Sequence, residues 1–219
     1  MTVGGPPRVR MAPDTRREQL LSLGVRLLSS RSLEELSIDV LAEEAGISRG
    51  LLYHYFGNKR DFHRAVVRRA ADDLIEVTAP VQSGEPLDRL ARSLEAYVDY
   101  VVANLEGYTS LVRGAAGGDE DLREIYEEAR AALTDRIFAV AGEEGVLDLF
   151  GVSDSAAVRL MVRGWSAMVE DVVLSWVAAP RGVAKAELLA RLAGALPCVL
   201  GASQAEGRTG DTGPADSSA

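Results

Sequence analysis

Residues Leu36–Phe62 read LSIDVLAEEAGISRGLLYHYFGNKRDF, and the architecture follows from the caps and spacings within them. Ser37 precedes the apolar pair Val40 and Leu41 as a helix N-cap, and Asp39 lies against the positive end of the helix that it opens. Gly46 stops this helix as the residue best able to adopt the left-handed cap. Ser48 caps again two residues later, so the connection is Gly46, Ile47 and Ser48, and helices joined so tightly must cross steeply, as in a helix-turn-helix. Spaced about 100° apart, Leu52 and Phe56 of the segment Ser48–Phe56 share one side. Arg49, Gly50, Tyr53 and His54 share the other, a polar, aromatic and small face.

Upstream, Thr15 and Glu18 have capping-box spacing, and Leu20, Leu21, Gly24, Leu27 and Leu28 form the inward stripe of a first helix ending near Ser30. Downstream, Asn58 caps a fourth helix with Asp61 in its first turn, running through Phe62, Ala65, Val66, Leu74 and Val77 to Pro80. At 1.5 Å per residue it is roughly 30 Å long, enough to link a head to a body. Helical spacing then predicts Pro86–Leu105, Glu106–Ala116, Leu122–Ala141, Asp154–Ala178 and Ala184–Leu200, broken at Gly117-Gly118, Gly142–Gly151 and Pro180–Gly182. The expected fold is all-α, with about nine helices: a helix-turn-helix domain over 14–60 and a larger helical domain over 61–203. Residues 1–13 and 204–219 lack periodic apolar residues and are expected to be disordered.

Composition narrows the function. The 219 residues carry a formal charge of −9, unevenly spread: residues 1–70 hold 12 Lys or Arg against 8 Asp or Glu, net +4, and residues 71–219 hold 12 against 25, net −13. A basic head on an acidic body would orient the chain on a polyanion, although unequal surface composition gives the same asymmetry. The single cysteine, Cys198, allows no internal disulfide and fits a reducing cytoplasm. No apolar stretch approaches the roughly 18 residues of a membrane span, and the N-terminus lacks the apolar core of a signal peptide. A Gly-rich phosphate loop, a nucleophile elbow and metal-spaced His or Cys are all missing, and both histidines, His54 and His63, lie in or beside the head. We therefore expect no catalytic residue, metal or cofactor. The rival readings are a helical protein-interaction module and a small-molecule carrier.

In the spacing of Ala42, Ala45-Gly46, Ser48, Gly50, Leu52-Tyr53, Tyr55-Phe56 and Lys59, the segment resembles the DNA-binding domain of the TetR family of transcriptional regulators. The later helices resemble that family in number and length only. The resemblance implies a third helix in the major groove of double-stranded DNA, with Arg49 reading bases, guanine above all. It implies phosphate contacts from Tyr53, Tyr55 and Lys59, and a base edge or a phosphate for His54. Gly50 fits a close backbone approach, Ser48 belongs to the same surface, and Leu51 touches a thymine methyl or is partly buried. Ile38 stands where many members have a phosphate-binding threonine, so anchoring by the second helix falls to its amides or to Ser37, supplemented by Arg16 and Arg17.

The resemblance further implies a ligand-responsive regulator, a repressor in the first instance, acting as a homodimer on a near-palindromic operator and released by a small-molecule effector. Dimer candidates are Val162, Val169, Val173 and Val177 with Leu188, Leu189, Leu192 and Leu196, which would instead be core residues if these helices are buried in one chain. Effector-site candidates are Tyr97, Tyr100, Tyr108, Tyr126, Trp165, Met161 and Met168, apolar bodies that are also common in cores. Arg113 follows Leu111 and Val112, and if buried requires Glu170, Asp171 or a ligand carboxylate.

Overall fold

A computed structural model describes residues 13–80, 83–139, 147 and 150–205. Among the described residues the chain forms nine α-helices and no strand: α1 Pro13–Leu28, α2 Ile38–Ala45, α3 Arg49–Phe56, α4 Lys59–Val77, α5 Pro86–Ala103, α6 Leu105–Ala116, α7 Glu120–Ala139, α8 Ala156–Ala178 and α9 Lys185–Ala205. The all-helical expectation holds, with shifts at the ends. Helix α1 begins two residues before Thr15, which lies inside the first turn and is no cap. Helix α9 continues past Leu200 to Ala205, with Pro197 inside it. Of the expected disorder at 1–13 and 204–219, residue 13 lies in α1 and residues 204–205 lie in α9, a correction, and the rest, with most of the Gly142–Gly151 break, falls outside the described residues.

The chain divides into two compact units. The first holds residues through Asp72 together with Asn104–Tyr126, so α6 and the start of α7 join the head rather than separating from it at residue 60. Its core is built from Leu20, Leu21, Leu27 and Leu28 of α1, Leu36 before α2, Leu41 of α2, and Phe62 and Val66 of α4. Val40, expected inside, is only half-buried, and Ile38 and Ala42 fill the face beside Leu41. Helix α6 joins this core at Gly107, where an added Cβ would lie 2.8 Å from the Leu28 carbonyl oxygen. The Ser110 hydroxyl accepts from the Leu33 amide at 3.2 Å.

The second unit comprises Asp73–Ala103 and the chain from Glu127 onward. Here α5, α8 and α9 pack together through Val98, Val101, Val162, Val173, Leu192 and Leu196. The end of α4 also belongs to it. Val77 at its last position is exposed, and the buried residue is Thr78, whose hydroxyl donates to the Leu74 carbonyl at 2.6 Å. Arg136 of α7 donates to the Thr78 hydroxyl at 3.0 Å and to the Ile75 carbonyl. A cation on the orphan carbonyls of a helix C-terminus is favourable, and partial burial holds its pKa below the usual arginine value.

Candidate nucleic-acid interface

Local chemistry builds the α2–turn–α3 segment as its spacing predicts. The Ser37 hydroxyl accepts the Val40 amide at 3.1 Å, and the Ser48 hydroxyl accepts the Leu51 amide at 3.3 Å. Between the two helices Gly46 takes φ 64° and ψ 36°, and its amide donates to the carbonyls of Ala42 and Glu43. A side chain is strained in that backbone region and glycine is not.

With both ends of α3 set, its phase follows. Leu52 is fully buried and Phe56 nearly so, with the Phe56 ring edge-on to Phe62 at 5.2 Å. Arg49, Gly50, Leu51, Tyr53 and His54 are exposed, Tyr55 is half-buried with its ring against His54, and Lys59 is exposed at the first turn of α4. An added Cβ on Gly50 would meet nothing within 4 Å. No contact among the described residues requires glycine there.

Around α3, Ile38, Arg16 and Arg17 have partners within the chain. Ile38 is buried at 4% exposure and belongs to the core rather than to a phosphate-facing edge. Capping uses the Ser37 oxygen as acceptor and leaves its proton to donate. Arg17 lies over the Phe56 ring at 5.3 Å, a packing role, and Arg16 donates to Gln19 at 3.1 Å.

Two features were not read from the sequence. Arg49 is ion-paired at Nε with the Asp39 carboxylate on α2, across the turn. The sequence signal was an acid and a base ten positions apart on facing helices, but Asp39 had a sufficient local reading as a helix-end charge. Arg60 donates to Asp121 at 2.6 Å and Arg64 lies 3.7 Å from Glu124, so the first two turns of α7 partly neutralise the cations that follow Lys59. His63 Nε2 lies 2.6 Å from the Leu36 carbonyl, which fixes the proton on that nitrogen, and burial foremost holds its pKa below the ordinary value. It is a structural histidine.

The effector candidates divide between the two compact units. Tyr108, Arg113 and Tyr126 lie in the first; Tyr97, Tyr100, Met161, Trp165 and Met168 lie in the second. Arg113 is exposed, so it needs none of the buried partners considered for it, because the polar side of α6 faces solvent there. Met161 and Met168 are also exposed, 41% and 38%, and do not point inward. Trp165 is buried with its indole N–H donating to the Leu192 carbonyl at 3.1 Å, a tie between α8 and α9. Tyr97 is buried, and burial pushes the Tyr100 phenol up, helped by the negative charge of Asp73. Ser93, one turn before Tyr97, has a buried hydroxyl with no hydrogen-bond partner among the described residues.

The apolar stripes assigned to a partner chain are corrected as well. Val162, Val169, Val173, Leu188, Leu192 and Leu196 are all below 9% exposed within one chain, because α8 and α9 bury these faces in their own unit. Val177 and Leu189 are half-buried. The exposed apolar side of α8 carries Leu160 at 68%, Met161 and Met168, with Gly164 open between them. Among the described residues no His, Cys, Asp or Glu cluster could hold a metal ion, and no helix is long and apolar enough to cross a membrane.

Comparison with known proteins agrees with this geometry. Residues 20–66 match the family of bacterial regulatory proteins, tetR family, and residues 86–196, just over half of the chain, match the tetracyclin repressor-like C-terminal domain. A tetR-family transcriptional regulator from Streptomyces coelicolor superposes with a TM-score of 0.76 at 32% identity, covering 90% of this chain and 85% of that one. The transcriptional activator FasR of Mycolicibacterium smegmatis is 24% identical over 178 residues, 80% of this chain and 78% of FasR. BetI of Vibrio atlanticus, a transcriptional regulator, is 29% identical over 102 residues, 47% of this chain and 49% of its own length. With both halves matched and the polar face of α3 turned outward, the chain belongs to the TetR family and is a transcriptional regulator with a DNA-binding helix-turn-helix.

Proposed function

We propose that this regulator binds a near-palindromic operator as a homodimer, represses by occupying it, and is released by a small-molecule effector. The observation that carries the reading is the division of α3, with Leu52 and Phe56 inside and Arg49, Gly50, Tyr53 and His54 outside. Arg49 reads a guanine, Tyr53, Tyr55 and Lys59 hold phosphates, and Ser37 and Ser48 line the approach. Two copies of α3 reading one face of a duplex stand about 34–36 Å apart or a multiple of that.

The dimer face consists of Leu160, Met161, Gly164 and Met168, which share one side of α8 and are exposed in the single chain. The effector site lies on the Ser93, Tyr97 and Tyr100 side of α5. These residues recur at helical spacing, and a buried hydroxyl without a partner is costly until something bonds it. An effector that prefers one separation of the two heads shifts the population toward it and weakens operator binding by its differential affinity.

The test is selection of bound duplexes from a random pool by the full-length protein, repeated with candidate effectors. Enrichment of a two-fold related sequence, lost on adding one effector, is expected; no enrichment at moderate salt overturns the reading. Ser93→Ala is expected to leave stability unchanged or raise it by about 1 kcal/mol, since no bond is lost, while blunting release by the effector. Unfolding midpoints and operator release curves check the two effects.

A further inference from the structure

The Asp39–Arg49 pair sits on the surface just assigned to DNA, with the two side chains 55% and 69% exposed. Its stability value is small, because exposed ion pairs contribute little, and a carboxylate facing a polyanion is unfavourable by itself. The geometry offers a different role. The closest contact of the carboxylate is with Nε, next to the side-chain stem, and an arginine held there can turn its Nη1/Nη2 edge to another partner. That edge matches the O6 and N7 acceptors of guanine. An unpaired arginine at the same place would bind any backbone phosphate, a contact that carries no sequence information.

We propose that Asp39 is a positioning residue for operator reading: it holds Arg49 through Nε so that the Nη1/Nη2 fork is presented to a base edge, and its charge makes a phosphate a poorer competitor for that arginine. Two local facts make the pairing rigid enough for this role. Asp39 lies in the first turn of α2, two residues after its Ser37 cap, and Arg49 opens α3 directly after its Ser48 cap, and the turn between them is fixed by Gly46. Neither residue is free to drift relative to the other except by side-chain rotation. Specificity gained by disfavouring wrong partners, rather than by strengthening the right one, is a general strategy of recognition.

The inference rests on the reading of Arg49 as a base contact, and the experiment separates the two. Wild type, Asp39→Asn, Asp39→Ala, Arg49→Ala and the double variant Asp39→Asn with Arg49→Ala are measured as full chains. Each is titrated with the duplex enriched from the pool, its single base-pair variants and a random duplex, at two salt concentrations. Asp39→Asn and Asp39→Ala are expected to lose about tenfold of discrimination at one G·C pair while binding the random duplex a few fold more tightly. Adding Asp39→Asn to Arg49→Ala should then change nothing at that pair.

Retention of wild-type discrimination by both Asp39 variants overturns the inference. So does an equal gain in affinity for every duplex, which would make Asp39 a mere repulsive charge. If Arg49→Ala itself keeps full discrimination, the base-reading assignment fails first, and this is seen without reference to Asp39. Both side chains are exposed, so thermal midpoints within a few degrees of wild type are expected for all four variants.

Discussion

Gly50 lies in a helix on the exposed side of α3 with nothing near its missing Cβ. A glycine inside a helix costs up to about 1 kcal/mol relative to alanine. Gly50→Ala should therefore stabilise the folded chain by up to about that amount while weakening operator binding tenfold or more, because the methyl would stand between backbone and groove. Opposite signs in the melting curve and the binding titration are the check; a variant that binds normally shows that the backbone does not approach DNA there. His63 gives a second test at this scale. Burial of the imidazole, opposed by its bond to the Leu36 carbonyl and aided by the positive charge of Lys59, lowers its folded pKa. As pH falls through the ordinary value of about 6.5, the unfolded chain takes the proton first, so the contribution of this residue is complete above that pH and declines below it. His63→Gln retains a donor for Leu36 and should lose less stability between pH 7.5 and 5.5 than wild type in chemical denaturation.

Among the elements, α6 shows how a body helix by chain order becomes part of the head by packing. Its contact with the end of α1 is made at a glycine, and the obstacle to any larger residue is a backbone oxygen that cannot rotate away. Gly107→Ala is expected to cost about 1–3 kcal/mol, as overpacking does in a dense interior, measured as a lowered unfolding midpoint. An unchanged midpoint would mean that α6 is free to withdraw from α1. The ion pairs of Arg60 and Arg64 with Asp121 and Glu124 lie in the same compact unit, linking the start of α4 to the start of α7. The helices themselves were readable from apolar spacing and punctuation: α2, α3 and α6 end within a residue or two of their expected limits. The cap of α1 was misplaced, because Thr15 and Glu18 satisfy the capping-box spacing at a site where the helix has already begun.

For the molecule as a whole, the proposed dimer makes stability depend on concentration, since a partner that binds only the folded chain stabilises it by mass action. Met168→Glu and Leu160→Glu change exposed residues and should leave the monomer folded. They are expected to halve the mass in light scattering and to lower affinity for a two-half-site operator at least tenfold, while binding to a single half-site stays weak and unchanged. A dimer that survives both substitutions places the partner elsewhere.

The head was legible in one dimension: two capped helices, the turn between them and the phase of α3, from Ser37 to Phe56. Caps and helical period act over a few residues, so each signal was complete within the stretch where it was read. Tertiary structure decided the rest. A helix with two apolar sides does not specify which one its own chain will cover, and only the packing of α8 against α9 and α5 showed that the valine and leucine stripes are inside and that Leu160, Met161 and Met168 are outside. The exposure of Arg113, the burial of Ile38 and the pairing of Arg49 with Asp39 follow from the same cause. Burial and charge pairing are set by neighbours brought together through folding, and one-dimensional spacing does not name them.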